Sequence, residues 1–196
     1  MMKGEQLHQL KSFLLSFNIL EEEDINELLA SASFRKLNKT DFFIREGEIC
    51  REVAFVISGI FRSFYSSATN DEITYCILFP HVLITAYSSY ITGNPSAESI
   101  QAISAAELMV IPREKIALLS ASNPRWVRFE KMIAEQQYIE LERRVFQFQK
   151  EKAAERYKDL LNNYPDYIRH IPLQYLASYL GITQRHLSRI RKEIVF

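Results

Sequence analysis

The spacing of apolar and polar positions along the chain changes period twice. Residues 5–31 (EQLHQLKSFLLSFNILEEEDINELLAS) carry apolar side chains at helical spacing, and the acidic run 21–24 stands where a helix dipole favours negative charge. That pattern predicts two short helices. From Ser33 to about Ile111 the pattern becomes one of strands, with β-branched and aromatic segments at 52–57 (EVAFVI), 60–65 (IFRSFY) and 72–79 (EITYCILF). The turn residues SG at 58–59 and TND at 69–71 separate them, and Gly47 and Gly59 mark points where a positive φ or a close backbone approach is needed. Short strands at this interval predict a small barrel or sandwich. After Pro112 the pattern is helical throughout. PREKIALLSA (112–121) predicts one short helix, and Asn123 as a cap with Pro124 at the first helical position opens a long one to about Phe148. Another follows at about 151–162, halted by NNYP, and the last 25 residues hold two more.

The long helix carries apolar residues on two sides. Val127, Ala134, Leu141 and Phe148 recur every seven residues, as do Met132, Ile139 and Phe146, roughly 160° further round the helix. One side can pack on the chain's own strands. A second copy of the same helix can cover the other, which predicts a parallel homodimer; the competing reading is a central helix in one monomeric core.

Residues 173–190 fit the helix-turn-helix template position by position: Leu173, Leu176, Ala177, Leu180, Gly181, Ile182, Leu187 and Ile190. Ala177 stands where two helices must cross closely, and Gly181 where the turn would penalise a Cβ. Thr183 caps the second helix, whose outward face is left to Gln184, Arg185, His186, Ser188, Arg189 and Lys192. Gln184, Arg185, Ser188 and Arg189 are the candidate base-reading residues, because Gln pairs bidentately with adenine and Arg with guanine. Thr183, His186, Arg191 and Lys192 are the candidates for the DNA backbone. The competing reading is a solvated basic helix in a small packing unit.

Charge sharpens this picture. The chain has no formal net charge, yet residues 1–122 hold 10 Lys+Arg against 15 Asp+Glu, and residues 123–196 hold 14 against 9. The C-terminal part is therefore the one suited to an anion. Cys50 and Cys76 form no CxxC pair and cannot ligate a zinc or iron–sulfur site, which leaves both as reduced, partly buried residues. No metal site is expected. There is no signal-peptide core and no apolar run of membrane-spanning length, so the expectation is a cytoplasmic protein with no membrane partner. No nucleophile elbow, P-loop, HExxH or GxGxxG occurs, and Asp24, Glu46, Glu48, Asp71, Glu72 and Glu98 have no motif spacing. These carboxylates are expected to be exposed, and the protein not to be an enzyme.

The strand-and-glycine stretch IREGEICREVAFVISGIFRSFY (44–65) and the segment IPLQYLASYLGITQRHLSRIRKEI (171–194), on either side of the long helix, resemble the Crp/Fnr family of bacterial transcription regulators. The resemblance implies an α+β fold: an N-terminal double-stranded β-roll with flanking helices over 1–122, a dimerisation helix over 123–149 and a DNA-binding helix-turn-helix over 150–196. It implies a homodimer on double-stranded DNA, with RNA polymerase as a further partner. A β-hairpin wing usually follows the recognition helix in the family, whereas Val195-Phe196 end this sequence, so the expectation is a helix-turn-helix without a wing.

The resemblance weakens at the effector site. Cyclic-nucleotide-binding members use Gly-Glu for the ribose and Arg-Ser for the cyclic phosphate; here Ile84-Thr85 and Ser96-Ala97 stand in their places. No Arg or Lys occurs between Arg62 and Arg113. Losing a charge-assisted contact of about 1.5–3 kcal/mol costs affinity tenfold or more, so cyclic AMP is not expected as effector and no cofactor is assigned. Thr85, Tyr87, Ser88, Ser89 and Ser96 are the candidates to line a pocket for some other ligand, or to close an empty roll. The alternative function is a ligand-binding or protein-interaction module whose terminal helices no longer bind DNA.

Overall fold

The computed structural model describes residues 2–194. Helices α1 (Met2–Leu15) and α2 (Glu22–Leu29) precede eight strands: β1 (Ser33–Leu37), β2 (Phe42–Ile44), β3 (Glu52–Ser58), β4 (Phe61–Ser66), β5 (Glu72–Leu78), β6 (Leu83–Ile84), β7 (Ser99–Ala102) and β8 (Ala106–Pro112). One short helix, α3 (Tyr87–Thr92), interrupts them. Helices α4 (Arg113–Ser122), α5 (Pro124–Lys150), α6 (Ala153–Asn163), α7 (Pro165–Ile168), α8 (Leu173–Tyr179) and α9 (Gln184–Ile194) complete the chain. The strands form two antiparallel four-stranded sheets, ordered β1-β8-β3-β6 and β2-β7-β4-β5. Facing each other, they make the roll.

The run EVAFVI has no polar alternation because both faces of β3 are covered, as are those of β8. Ala54, Val56, Leu108 and Val110 point between the sheets with Phe61, Ile84 and Ile100. Phe55, Ile57, Met109 and Ile111 point outward, where Leu10, Leu14, Ile25, Leu28, Leu119, Trp126 and Phe129 cover them. The flanking helices are thus a second layer on one sheet. Gly59, where the chain passes from the first sheet to the second, has φ +97, and a Cβ on it would lie 2.5 Å from that of Ala106. The expected glycine conformation is present there, and at Gly47 with φ +87.

The start of α5 follows its sequence signal: the Asn123 side chain accepts a hydrogen bond from Arg125 N at 2.9 Å, and Pro124 opens the helix. The same end holds an ionic knot around the buried carboxylate of Asp24. Asp24 accepts from Arg125 Nε at 2.7 Å and Nη2 at 3.0 Å, from Asn123 Nδ2 at 2.6 Å and from Glu21 N at 2.9 Å. The expectation that Asp24 is an exposed carboxylate is therefore corrected: its partner Arg125 is 101 residues away in sequence, beyond any local pattern. The Arg125 guanidinium is the main cause that holds the Asp24 carboxyl below its ordinary value of 3.8. No helix of the described residues is long and apolar enough to cross a membrane.

A carboxyl with a lowered folded-state pKa stabilises above its ordinary range, and that contribution disappears as pH falls through the lowered value. Asp24→Asn should cost about 1–3 kcal/mol at pH 7, and the difference from wild type should close below about pH 4, in thermal melts recorded across pH.

Candidate functional site

The C-terminal unit is built around two helices and the turn between them. Leu176, Ala177, Leu180, Leu187 and Ile190 are all buried, with Leu173 and Ile182 packed at the edge. The turn is a Schellman arrangement: Gly181 has φ +67, its N–H donates to Ser178 O at 3.0 Å, and Ile182 N donates to Ala177 O at 3.0 Å. Thr183 Oγ1 accepts from His186 N at 3.2 Å and closes the first turn of α9. All eight template positions meet in this one interior or turn.

The outward face of α9 is where the sequence placed it. Gln184, Arg185, His186, Arg189 and Lys192 are exposed. Two candidates sit differently. The Ser188 hydroxyl is half-buried and donates to Gln184 O at 2.9 Å, and the Arg191 guanidinium lies 5.9 Å from the centroid of the Tyr157 ring in its own unit. Neither is as free as its neighbours to reach an outside group. Val195-Phe196 lie outside the described residues.

This unit is docked on the roll through α8. Ser178 Oγ accepts from Thr74 N of β5 at 2.9 Å, and Tyr175 lies 3.8 Å from the guanidinium carbon of Arg62 in β4. Arg62 is 2% exposed; it donates to Gln101 Oε1 at 3.0 and 2.7 Å and to Glu72 at 2.5 Å. Ile60, Ile77, Phe79 and Ile103 of the roll join the same apolar cluster as Leu176 and Leu180. Sequence reasoning missed this joint, because Arg62 alone in an apolar strand carries no motif.

Helix α5 packs most closely over its first turns, where Trp126 and Phe129 are buried and Met132 and Ile133 half-buried. The roll-facing side is therefore neither predicted stripe, although Met132 borders it. Beyond residue 134 the helix is mostly exposed. Val127, Leu141, Phe148, Ile139 and Phe146 all face solvent in the single chain, with Ala134 half-buried. The exposed Tyr138 and Val145 complete the first stripe, giving Ala134, Tyr138, Leu141, Val145 and Phe148 in alternating steps of four and three. That is the spacing of a coiled-coil seam.

In the roll, a cleft of about 570 Å³ opens between the two strands β4 and β5 and the segment around α3. Ser88, Ser89 and Ser96 line it, whereas Thr85 and Tyr87 do not. Several hydroxyls are already engaged: Thr85 donates to Glu52 O at 3.0 Å, Ser89 to Asn94 O at 2.6 Å and Ser96 to Glu98 O at 2.8 Å. The other walls are Tyr65, Tyr75, Glu46 and Glu98, none of them foreseen as pocket residues. Tyr75 donates its hydroxyl to the Glu98 carboxylate. Desolvation pushes the Glu98 carboxyl above its usual range, and Glu98 is half-buried rather than exposed as expected. Residues from five separate segments meet here, which is why no spacing revealed them.

Residues 34–123 match the cyclic nucleotide-binding domain family. Among solved structures, the chain is similar to FixK2 from Bradyrhizobium japonicum, with a TM-score of 0.73, 16% identity, and coverage of 83% of this chain and 84% of that one. It is also similar to CLP, a c-di-GMP-responsive global regulator of Xanthomonas campestris, with a TM-score of 0.70, 15% identity, and 89% and 91% covered. The catabolite activator protein of Thermus thermophilus follows at a TM-score of 0.54 and 20% identity, with 90% and 84% covered. These likenesses establish a shared fold. No curated protein matched in sequence.

Ala177 is 2% exposed at the crossing of α8 and α9. Ala177→Leu should destabilise by about 1–3 kcal/mol through overpacking, read as a lowered thermal midpoint, whereas Lys192→Ala on the exposed face should leave the midpoint within about 0.5 kcal/mol.

Proposed function

For a chain whose roll matches the cyclic nucleotide-binding family and whose fold is that of the Crp/Fnr-type regulators, we propose a homodimeric, sequence-specific DNA-binding transcription regulator. The observation that carries this reading is the exposed face of α9. Gln184, Arg185 and Arg189 stand free on a helix whose opposite side is locked into a closed interior. Arg and Gln are the side chains that pair bidentately with guanine and adenine, and Lys192 and His186 flank them for phosphates. RNA polymerase is the further partner such a regulator would meet.

Pairing through α5 supports the two-fold arrangement. A stripe of Tyr138, Leu141, Val145 and Phe148 left in water is costly, and a second α5 set parallel to the first covers it along its length. Two recognition helices on one two-fold axis then read two half-sites one helical turn apart.

The cleft is not proposed for a cyclic nucleotide. Its walls present the carboxylates of Glu46 and Glu98 where a cyclic phosphate would need a cation. Catalysis is not proposed either, because the buried polar groups described above are engaged in holding strands and helices together.

A footprint of the protein on the DNA upstream of its own gene should show two protected half-sites at low salt; no protection there would count against the reading. Arg185→Ala and Arg189→Ala should each cost about 1–3 kcal/mol on the specific site and relax its base preference. Equal losses on random DNA would reduce both to phosphate contacts. Val145→Glu should turn the dimer into a monomer in sedimentation and weaken the specific site, while thermal unfolding of the roll stays near wild type.

A further inference from the structure

The end of α5, the start of α6 and the turn between α8 and α9 converge on one aromatic ring. Phe148, on the exposed stripe of α5 and still 39% exposed, is approached by the guanidinium of Arg144 at 4.8 Å and that of Arg156 at 4.4 Å from its centroid. Gly181 lies against its edge so closely that a Cβ there would fall 2.8 Å from Phe148 Cε1. The two arginines continue past the ring to the turn itself. Arg144 Nη2 donates to Tyr179 O at 3.0 Å, with its guanidinium 3.9 Å from the Tyr179 ring centroid. Arg156 Nη2 donates to Leu180 O at 2.8 Å, while its Nη1 donates to Glu151 O.

The chemistry of this clamp fits its place. The last carbonyls of a helix lack partners within the helix and sit at the negative end of its dipole, so cationic donors suit them twice over. Tyr179 and Leu180 close α8, and their cations come from α5 and α6. Helices α8 and α9 share one buried interior and a hydrogen-bonded turn, so α9 is held to α8. Its direction relative to α5 is therefore set by the docking of α8 on β5 together with what grips the turn.

We propose that Arg144, Arg156 and Phe148 are positioning residues that couple the pairing of α5 to the presentation of α9. Phe148 belongs to the seam a second chain covers, and the same ring is the wedge on which Gly181 rests. Pressing that ring from the partner side fixes the turn, and with it the angle of the recognition helix. The inference rests on α9 being a DNA-reading helix, yet the geometry it concerns is present without DNA.

The test places spin labels at the exposed positions Gln136 on α5 and Glu193 on α9, dilutes labelled chains with unlabelled ones, and measures the intrachain distance without DNA. Wild type should give one narrow distribution. Arg156→Ala and Phe148→Ala should broaden it and weaken the specific site by roughly tenfold, with the dimer intact in sedimentation. Arg156→Lys, which keeps the charge but not the forked donors, should fall between, and it replaces the alanine variant if that one does not fold. A distribution as narrow as wild type in Phe148→Ala and Arg156→Lys overturns the proposal whatever the DNA affinity. Wild type without a footprint overturns the DNA reading alone, because the distance measurement does not depend on it.

Discussion

The docking of α8 on β5 is the interaction the rest of the molecule depends on. One apolar cluster runs from Ile60, Ile77, Phe79 and Ile103 of the roll to Leu176, Leu180, Leu187 and Ile190 of the helix pair. Neither part closes that cluster alone. The C-terminal helices have too little interior of their own, since units of about 40 residues seldom bury enough apolar surface to fold alone. The polar groups at this joint confirm how closely it is fitted: Ser178 accepts an otherwise unpaired strand N–H, and Arg62 is buried between Tyr175, Phe64, Gln101 and Glu72. Removing the buried guanidinium from such a set would leave the buried Gln101 amide oxygen without its donor, a larger penalty than the gain from forming that bond.

A second constraint fixes the other end. The doubly apolar strands β3 and β8 require a cover on their outer face, and α1, α2, α4 and the first turns of α5 supply it. Because α5 is committed there by Trp126 and Phe129, its remaining turns leave the roll and stand in solvent. The Asp24–Arg125 knot then ties α2 to the same end of α5. The exposed seam follows from the way the roll is closed.

How much of this was legible in the sequence depends on how local each requirement is. The helix-turn-helix was readable because Ala177 and Gly181 answer to backbone and packing limits within twenty residues. Asn123 and Pro124 announced α5 in the same way. The exposed apolar stripe of α5 was half readable: a seven-residue repeat found Ala134, Leu141 and Phe148, while Tyr138 and Val145 escaped because only the alternation of four and three places them on the same side. The cleft was the least legible part. Tyr75 and Glu98 are 23 residues apart and meet only because β5 and β7 flank β4 in the same sheet. Arg62 and Tyr175, Asp24 and Arg125, and Arg156 and Leu180 are contacts of the same kind, made by the fold between positions that share no period.

The bare outer turns of α5 also have a bearing on dosage. If two chains must meet before either hides its seam, the paired form grows with the square of the chain's abundance while most chains are still single. On the two half-sites proposed above, a modest fall in synthesis would then lower occupancy more than in proportion. The row of apolar side chains along one helix would give the protein's output a threshold, set by how many copies the cell holds.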